Sequence, residues 1–220
     1  MTGQQAALEW RDGVPVSTRF DDPYYSLDDG LAETRYVFLA GNRLPDRLRP
    51  GLHVAELGFG TGLNLLALMA LVRESGRGPV RYTGFEAYPI STADMREALA
   101  AFPELAEDVE LLVGAWAHGG PLRTADIDAD FVLGDARATL PGWPGRADAW
   151  FLDGFAPARN PELWEPPLLA EVARHTTPGG TAATYSAAGA VRRALAAAGF
   201  AVERRVGWGR KRHMTMAHLP

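Results

Sequence analysis

Glu56-Leu57-Gly58-Phe59-Gly60-Thr61-Gly62 lies between the apolar run Leu52 to Leu57 and the helix-like apolar run Leu63 to Val72. An apolar strand, a glycine-rich turn and a helix, in that order, begin a βαβ unit. Further strands are predicted at Val80 to Glu86, Phe131 to Gly134, Asp148 to Asp153 and Gly180 to Tyr185, with helical segments between most of them. Such alternation implies right-handed crossovers and an open, largely parallel sheet. A helix is expected from near Pro161 towards Thr176, kinked or interrupted by Pro166-Pro167 and ended by Pro178-Gly179-Gly180. Another spans Ala187 to Ala198 and stops at Gly199, after which Ala201 to Val206 and His213 to Ala217 read as a closing antiparallel pair. Ahead of the sheet, Ala7 to Trp10 and Val14 to Thr18 flank Asp12-Gly13, a hairpin signal, and Pro15 confines the second arm to an edge. The expected fold is α/β and Rossmann-like, one domain with an N-terminal hairpin and helical extension over 1–50 and a core over 51–220.

A chain of 220 residues can bury one large core. Its longest apolar run, Leu63 to Val72, falls well short of the roughly 20 residues that cross a bilayer, so no membrane span is expected. The N-terminus lacks the basic start and apolar stretch of a secretion signal. There is no cysteine, which removes disulfides and thiolate chemistry and fits a cytoplasmic protein better than a secreted one. The formal charge of -5 is unevenly spread. From Ala190 onward seven basic residues face one acidic residue, a net +6 over 31 residues, leaving the rest at -11. A local anionic partner such as RNA and a plain solvated helix and strand both explain that asymmetry.

In an open parallel sheet, ligands gather beyond the carboxyl ends of the strands where strand order reverses. Gly58, Gly60 and Gly62 let the backbone turn tightly and approach a cofactor without a Cβ in the way. Glu86, at the end of the next strand, is placed to accept from ribose hydroxyls. Asp135, after the third strand, is placed to accept from an adenine amino group, with a turn aspartate as the plain alternative. The second informative segment is Trp150-Phe151-Leu152-Asp153-Gly154-Phe155-Ala156-Pro157, followed by Asn160-Pro161 and Trp164. It delivers one carboxylate from an apolar strand into an aromatic, proline-stiffened turn, a way to hold a nitrogen that is to be alkylated.

These stations resemble the S-adenosylmethionine site of class I methyltransferases. Phe20-Asp21-Asp22-Pro23-Tyr24-Tyr25-Ser26, Glu33 to Leu39, Glu56 to Asn64, Asp153-Gly154-Phe155-Ala156-Pro157, Asn160 to Trp164, Ala188 to Arg193 and Gly207 to Arg212 together resemble the MnmC methyltransferase family, over nearly the whole chain. The resemblance implies methyl transfer from S-adenosylmethionine to the exocyclic amine of 5-aminomethyl-(2-thio)uridine at the wobble position in the anticodon loop of certain tRNAs. It also implies a stand-alone methyltransferase, without the flavin-dependent oxidase that follows in two-domain members, and so no flavin in this chain. One departure is His213, where family members often carry an acidic residue. The candidate cofactor-binding set is Glu56, Gly58, Phe59, Gly60, Thr61, Gly62, Asn64, Glu86, Asp135 and Ala136. Asp153 is the candidate catalytic residue, and Phe155, Pro157, Tyr25, Arg210 and Arg212 are the candidate substrate contacts. Phe155 stacks on the uracil or packs in the core, while Tyr24 and Tyr25 cap the pocket or staple the extension. Trp164 is expected to pack its helix, and Asn160 to fix the loop by hydrogen bonding.

The chemistry sets its own demand. An alkyl amine near the lysine reference, with pKa about 10.4, is neutral in only about one part in 2,500 at pH 7, a penalty of roughly 4.6 kcal/mol that an electron-poor uracil reduces. An aspartate at its ordinary pKa is a weak base, so Asp153 is expected to orient the amine and offset the positive charge that develops on nitrogen, with burial raising its pKa. Two other readings remain open, a small-molecule amine N-methyltransferase and a non-catalytic, S-adenosylmethionine-binding RNA-interaction protein. The chain has no P-loop, no Tyr-x-x-x-Lys pair around its single lysine, no Gly-x-Ser-x-Gly elbow and no metal-ligand spacing among its histidines.

Overall fold

The computed structural model describes residues 5–26 and 29–220; residues 1–4 and 27–28 of the expected extension lie outside them. A three-stranded antiparallel sheet comes first, formed by β1 (Leu8–Arg11), β2 (Val14–Ser17) and β3 (Asp22–Pro23) in that order. Asp12 and Gly13 both have positive φ, as the two-residue turn demands. Pro15 sits on the middle strand rather than an edge. The short β3 removes the conflict: it pairs only with Val16 and Ser17, and Pro15 contributes its carbonyl, which accepts from the Tyr24 N–H at 3.0 Å.

Two short helices, α1 (Gly30–Thr34) and α2 (Leu44–Arg47), flank a π-helical segment, Arg35–Ala40. The core then runs through β4 (His53–Leu57), α3 (Leu63–Ser75), β5 (Val80–Glu86), α4 (Thr92–Leu99), α5 (Ala106–Ala117), β6 (Leu122–Arg123) and β7 (Ile127–Leu133). It continues through α6 (Ala136–Thr139), β8 (Ala147–Leu152), α7 (Pro166–Arg174), β9 (Thr176–Thr184), α8 (Gly189–Ala197), β10 (Ala201–Val206) and β11 (His213–His218). The eight-stranded sheet has the order β10-β11-β9-β8-β4-β5-β7-β6, and its five central strands are parallel. The expected antiparallel ending is present, with β11 inserted between β9 and β10. A second antiparallel edge, β6, was not expected.

Both faces of the sheet are covered, so the strands alternate between two apolar layers. On β4 and β8, Val54, Ala149 and Phe151 join the layer containing α3, while Ala55, Leu57, Trp150 and Leu152 join the layer containing α7 and α8. Pro166 and Pro167 occupy the first turn of α7, where missing N–H groups cost nothing, and a separate 3₁₀ turn covers Pro161–Trp164. The expected strand at Gly180 begins earlier, at Thr176, because Pro178-Gly179-Gly180 forms an irregular bulge inside β9 instead of ending a helix. No helix among the described residues is long and apolar enough to cross a membrane.

One buried amide fastens the extension to the sheet. Asn42, 0% exposed, donates from Nδ2 to the Phe38 carbonyl at 3.0 Å and the Trp150 carbonyl at 3.1 Å, and its Oδ1 accepts from Thr181 at 2.7 Å. Removing it costs three hydrogen bonds in the interior, of which the one to the Trp150 carbonyl joins the extension to the sheet core. Asn42→Ala should lower unfolding free energy by about 2–4 kcal/mol in urea titration; a loss under about 0.5 kcal/mol would show that the strap carries no strain-free bonding worth keeping.

Candidate active site

From β4 the chain steps outward through β5 to β7 and then returns to the other side of β4 as β8, so the loops leaving β4 and β8 diverge and open a crevice. The turn after β4 follows from its glycines. Gly58, Gly60 and Gly62 have φ of +84°, +56° and +85°, a region that side chains oppose. A Cβ on Gly58 would lie 2.6 Å from the Asp153 carbonyl oxygen, so glycine lets the two loops touch. The Asp153 N–H then donates to the Leu57 carbonyl at 3.0 Å, setting its carboxylate at the wall of a cleft of about 800 Å³.

That carboxylate does not stand alone. Asn64, in the first turn of α3 and nearly inaccessible, divides its two amide protons between Asp153 Oδ2 at 2.6 Å and Glu56 Oε1 at 2.5 Å. Its own oxygen accepts from the Thr34 hydroxyl at 2.8 Å, which leaves the amide one orientation. Tyr82 hydrogen-bonds the second Glu56 oxygen. Burial, then the nearby Asp153 charge, drive the Glu56 carboxyl well above its ordinary pKa. Burial also pushes Asp153 up, to about 7, against the opposing pull of Asn64 and Lys211. Negative charge in this pair therefore resides on Asp153, with Glu56 the neutral partner near neutral pH.

The N-terminal extension clamps the loop after Asp153. Asp22 Oδ2 accepts from the Ala156 N–H at 2.7 Å, and Asp21 pairs with Arg159 at 2.7 Å and Arg11 at 2.9 Å. Phe155 packs at 5.0 Å from Phe20 and edge-on to Tyr24 at 5.1 Å. On the opposite wall, the Tyr185 hydroxyl donates to the Gly154 carbonyl at 2.7 Å. Lys211 Nζ lies 4.1 Å over the Tyr185 ring and 2.7 Å from Glu33. Asp22, Glu33, Tyr185 and Lys211 were not singled out from sequence, although Asp22, Glu33 and Lys211 lie within the segments that carried the resemblance.

The expected cofactor set is only partly exposed to the cleft. Gly58, Gly60, Thr61, Asn64, Glu86, Asp135 and Ala136 line it. Glu86 is oriented by the N–H groups of Gly60 at 2.8 Å and Tyr88 at 2.7 Å, and burial raises its pKa. Glu56 is fully buried beneath the wall and reaches the cleft only through Asn64. Phe59 lines the cleft as well, with its ring buried in the core against Trp116 and Phe131. Gly62 caps α3 with its α-carbon against Leu112 and Phe59. Asp135 caps α6, and its carboxylate is held by Arg137, which lowers its pKa; the turn-aspartate alternative describes this geometry.

Among the expected substrate contacts, Phe155 and Arg210 line the cleft, whereas Pro157 and Arg212 do not. Tyr25 lines it too, but its hydroxyl donates to the Ala98 carbonyl at 2.9 Å and its ring packs on Phe102, which makes it a staple to α4. Trp164 is buried and donates to the Phe155 carbonyl at 2.8 Å. The Asn160 backbone N–H, at 2.9 Å from the Ala156 carbonyl, closes the loop. His213 begins β11 opposite Val206, away from these groups.

A family described as S-adenosyl-L-methionine-dependent methyltransferase matches residues 103–220. The chain belongs to that family. It is 45% identical over 229 residues to the tRNA 5-methylaminomethyl-2-thiouridine biosynthesis bifunctional protein MnmC of Caulobacter sp. (strain K31), covering 97% of this chain and 38% of that protein. The protein of the same name from Pseudomonas aeruginosa (strain UCBPP-PA14) is 46% identical over 225 residues, covering 96% and 34%. The chain thus spans little more than a third of the length of these relatives. Among solved structures, MNMC2 from Aquifex aeolicus aligns with a TM-score of 0.78 and 28% identity over 100% of this chain and 71% of that one. The methyltransferase cofactor is S-adenosylmethionine, and the cleft fits it: a Cβ-free turn opens backbone to the ligand, and an oriented carboxylate stands at the next strand end.

Because folding raises the Asp153 pKa from 3.8 to about 7, the stability tied to its protonation is complete below about pH 4 and is lost as pH rises through 7. Asp153→Asn escapes that loss. Its melting temperature relative to the unsubstituted methyltransferase should climb by roughly 2 °C or more between pH 5 and pH 8. Parallel melting curves across that interval would contradict the desolvated carboxyl.

Proposed function

We propose that this methyltransferase acts on the exocyclic amine of 5-aminomethyl-(2-thio)uridine at the wobble position of cytoplasmic tRNA, giving 5-methylaminomethyl-(2-thio)uridine. The supporting observation is the Asp153 carboxylate at the strand switch point, held by Asn64 inside an aromatic, acidic cleft. The names of the relatives, which concern 5-methylaminomethyl-2-thiouridine biosynthesis, point the same way.

Bound S-adenosylmethionine supplies an electrophilic methyl group. The turn from Gly58 to Gly62, with Glu86 and the Asp135-Ala136 backbone, would hold the cofactor. Asp22, Glu33 and Asp153 draw a cationic amine into the cleft, and Lys211 offsets part of that charge. Asp153, with a pKa near that of water-facing histidines rather than ordinary aspartates, accepts an N–H bond from the amine and takes the proton that nitrogen sheds. Asn64 holds Oδ2 and so fixes the carboxyl group, leaving Oδ1 to the amine while that charge changes. Phe155, braced by Phe20 and Tyr24, gives the pyrimidine an apolar wall. Arg210 at the cleft mouth and Arg212 beside it supply positive charge for the RNA backbone.

The deciding experiment supplies methyl-labelled cofactor and tRNA carrying 5-aminomethyluridine, and identifies the labelled nucleoside by mass spectrometry. Label appearing only in free amines would replace the RNA reading with a small-molecule one. Asp153→Asn should reduce turnover about 100-fold or more with cofactor affinity within about twofold, and should flatten a kcat/KM profile that otherwise rises through pH 7. Equal loss of turnover and cofactor affinity would assign Asp153 a structural role.

A further inference from the structure

Tyr36 and Val206 are 37% and 70% exposed, among the most exposed large apolar side chains of the described residues. The Tyr36 hydroxyl donates to the Val206 carbonyl at 3.1 Å, and its ring packs at 5.5 Å and 44° on Trp208. Trp208 in turn lines the cleft. An apolar strip therefore runs from the cleft wall outward over the protein surface.

Local backbone keeps this strip outside. The π-helical segment Arg35–Ala40 buries Val37, Phe38 and Leu39 while leaving Arg35 and Tyr36 exposed, and such wide turns recur at functional positions. The loop after β10 is closed by the Gly207 N–H on the Arg212 carbonyl at 3.2 Å and the Lys211 N–H on the Trp208 carbonyl at 2.9 Å. Exposed aromatic surface of this kind marks a partner. Its surroundings specify the partner's charge: Arg35, Arg204, Arg205, Arg210 and Arg212 are all exposed on these same segments. Stacking rings in a cationic field are the means by which proteins hold unpaired nucleotides.

We infer that the Tyr36–Trp208 strip is a stacking platform for a single-stranded RNA nucleotide next to the one whose base enters the cleft. The inference rests on the RNA reading above and adds to it a named second binding position.

The test uses an anticodon stem-loop containing 5-aminomethyluridine, with 2-aminopurine placed in turn at each loop position flanking it. Tyr36→Ala should weaken stem-loop binding by roughly fivefold to a hundredfold and remove 2-aminopurine quenching at one flanking position. Cofactor affinity should stay within about twofold, and Tyr36→Phe should retain both stem-loop affinity and quenching. Unchanged stem-loop affinity in Tyr36→Ala, a parallel loss of cofactor affinity, or an equal loss in Tyr36→Phe would each overturn the platform. A protein that methylates free amines but neither binds nor methylates the stem-loop would overturn the RNA reading along with it, whereas methylation of the stem-loop with no effect of Tyr36→Ala removes the platform alone.

Discussion

The division of one amide between two carboxyl groups organises this protein. Asn64 has only two protons to give, and it gives one to Glu56 and one to Asp153. Two acids so close cannot both ionise cheaply in a low-dielectric interior. The buried member is kept neutral, and the cleft-facing member titrates near physiological pH. Thr34 sets the direction of the amide from the N-terminal extension, so the position of the Asp153 carboxylate at the sheet depends on residues that precede the sheet in the chain.

The extension does the same work a second time on the loop after Asp153. Asp21, Asp22, Phe20 and Tyr24 grip the segment from Phe155 to Arg159 by charge, hydrogen bond and ring contact. Loops are the mobile part of an α/β site, and here the loop that carries Asp153 is tied to a small antiparallel sheet. Exposed pairs such as Asp21–Arg159 contribute little each, whereas the half-buried Asp22 bond to backbone removes an otherwise orphaned donor.

The central strands were readable because each is a short apolar run bounded by glycine or an acidic residue. β7 starts four residues before its apolar pattern does, since Asp128 and Asp130 break that pattern near the sheet edge, where their side chains meet Arg123. Pro15 misled because the rule against proline in a middle strand assumes a long neighbour, and β3 pairs through only two residues. The positive φ of the glycine turn and the strand-end place of Asp153 are legible because both are local geometry. Glu56 and Phe59 sit in the same motif yet face the interior, a distinction that depends on α3, α5 and β7 packing over them. Lys211 and Glu33 are 178 positions apart, and only the folded sheet brings them together.

Lys211 is the single lysine of the chain and borders the cleft, with its side chain 43% exposed. A reagent selective for side-chain amines can therefore mark one wall of the cleft and nothing else along the polypeptide's side chains. Composition biased toward arginine has left the molecule with a chemical handle at the place where its occupancy is most worth watching.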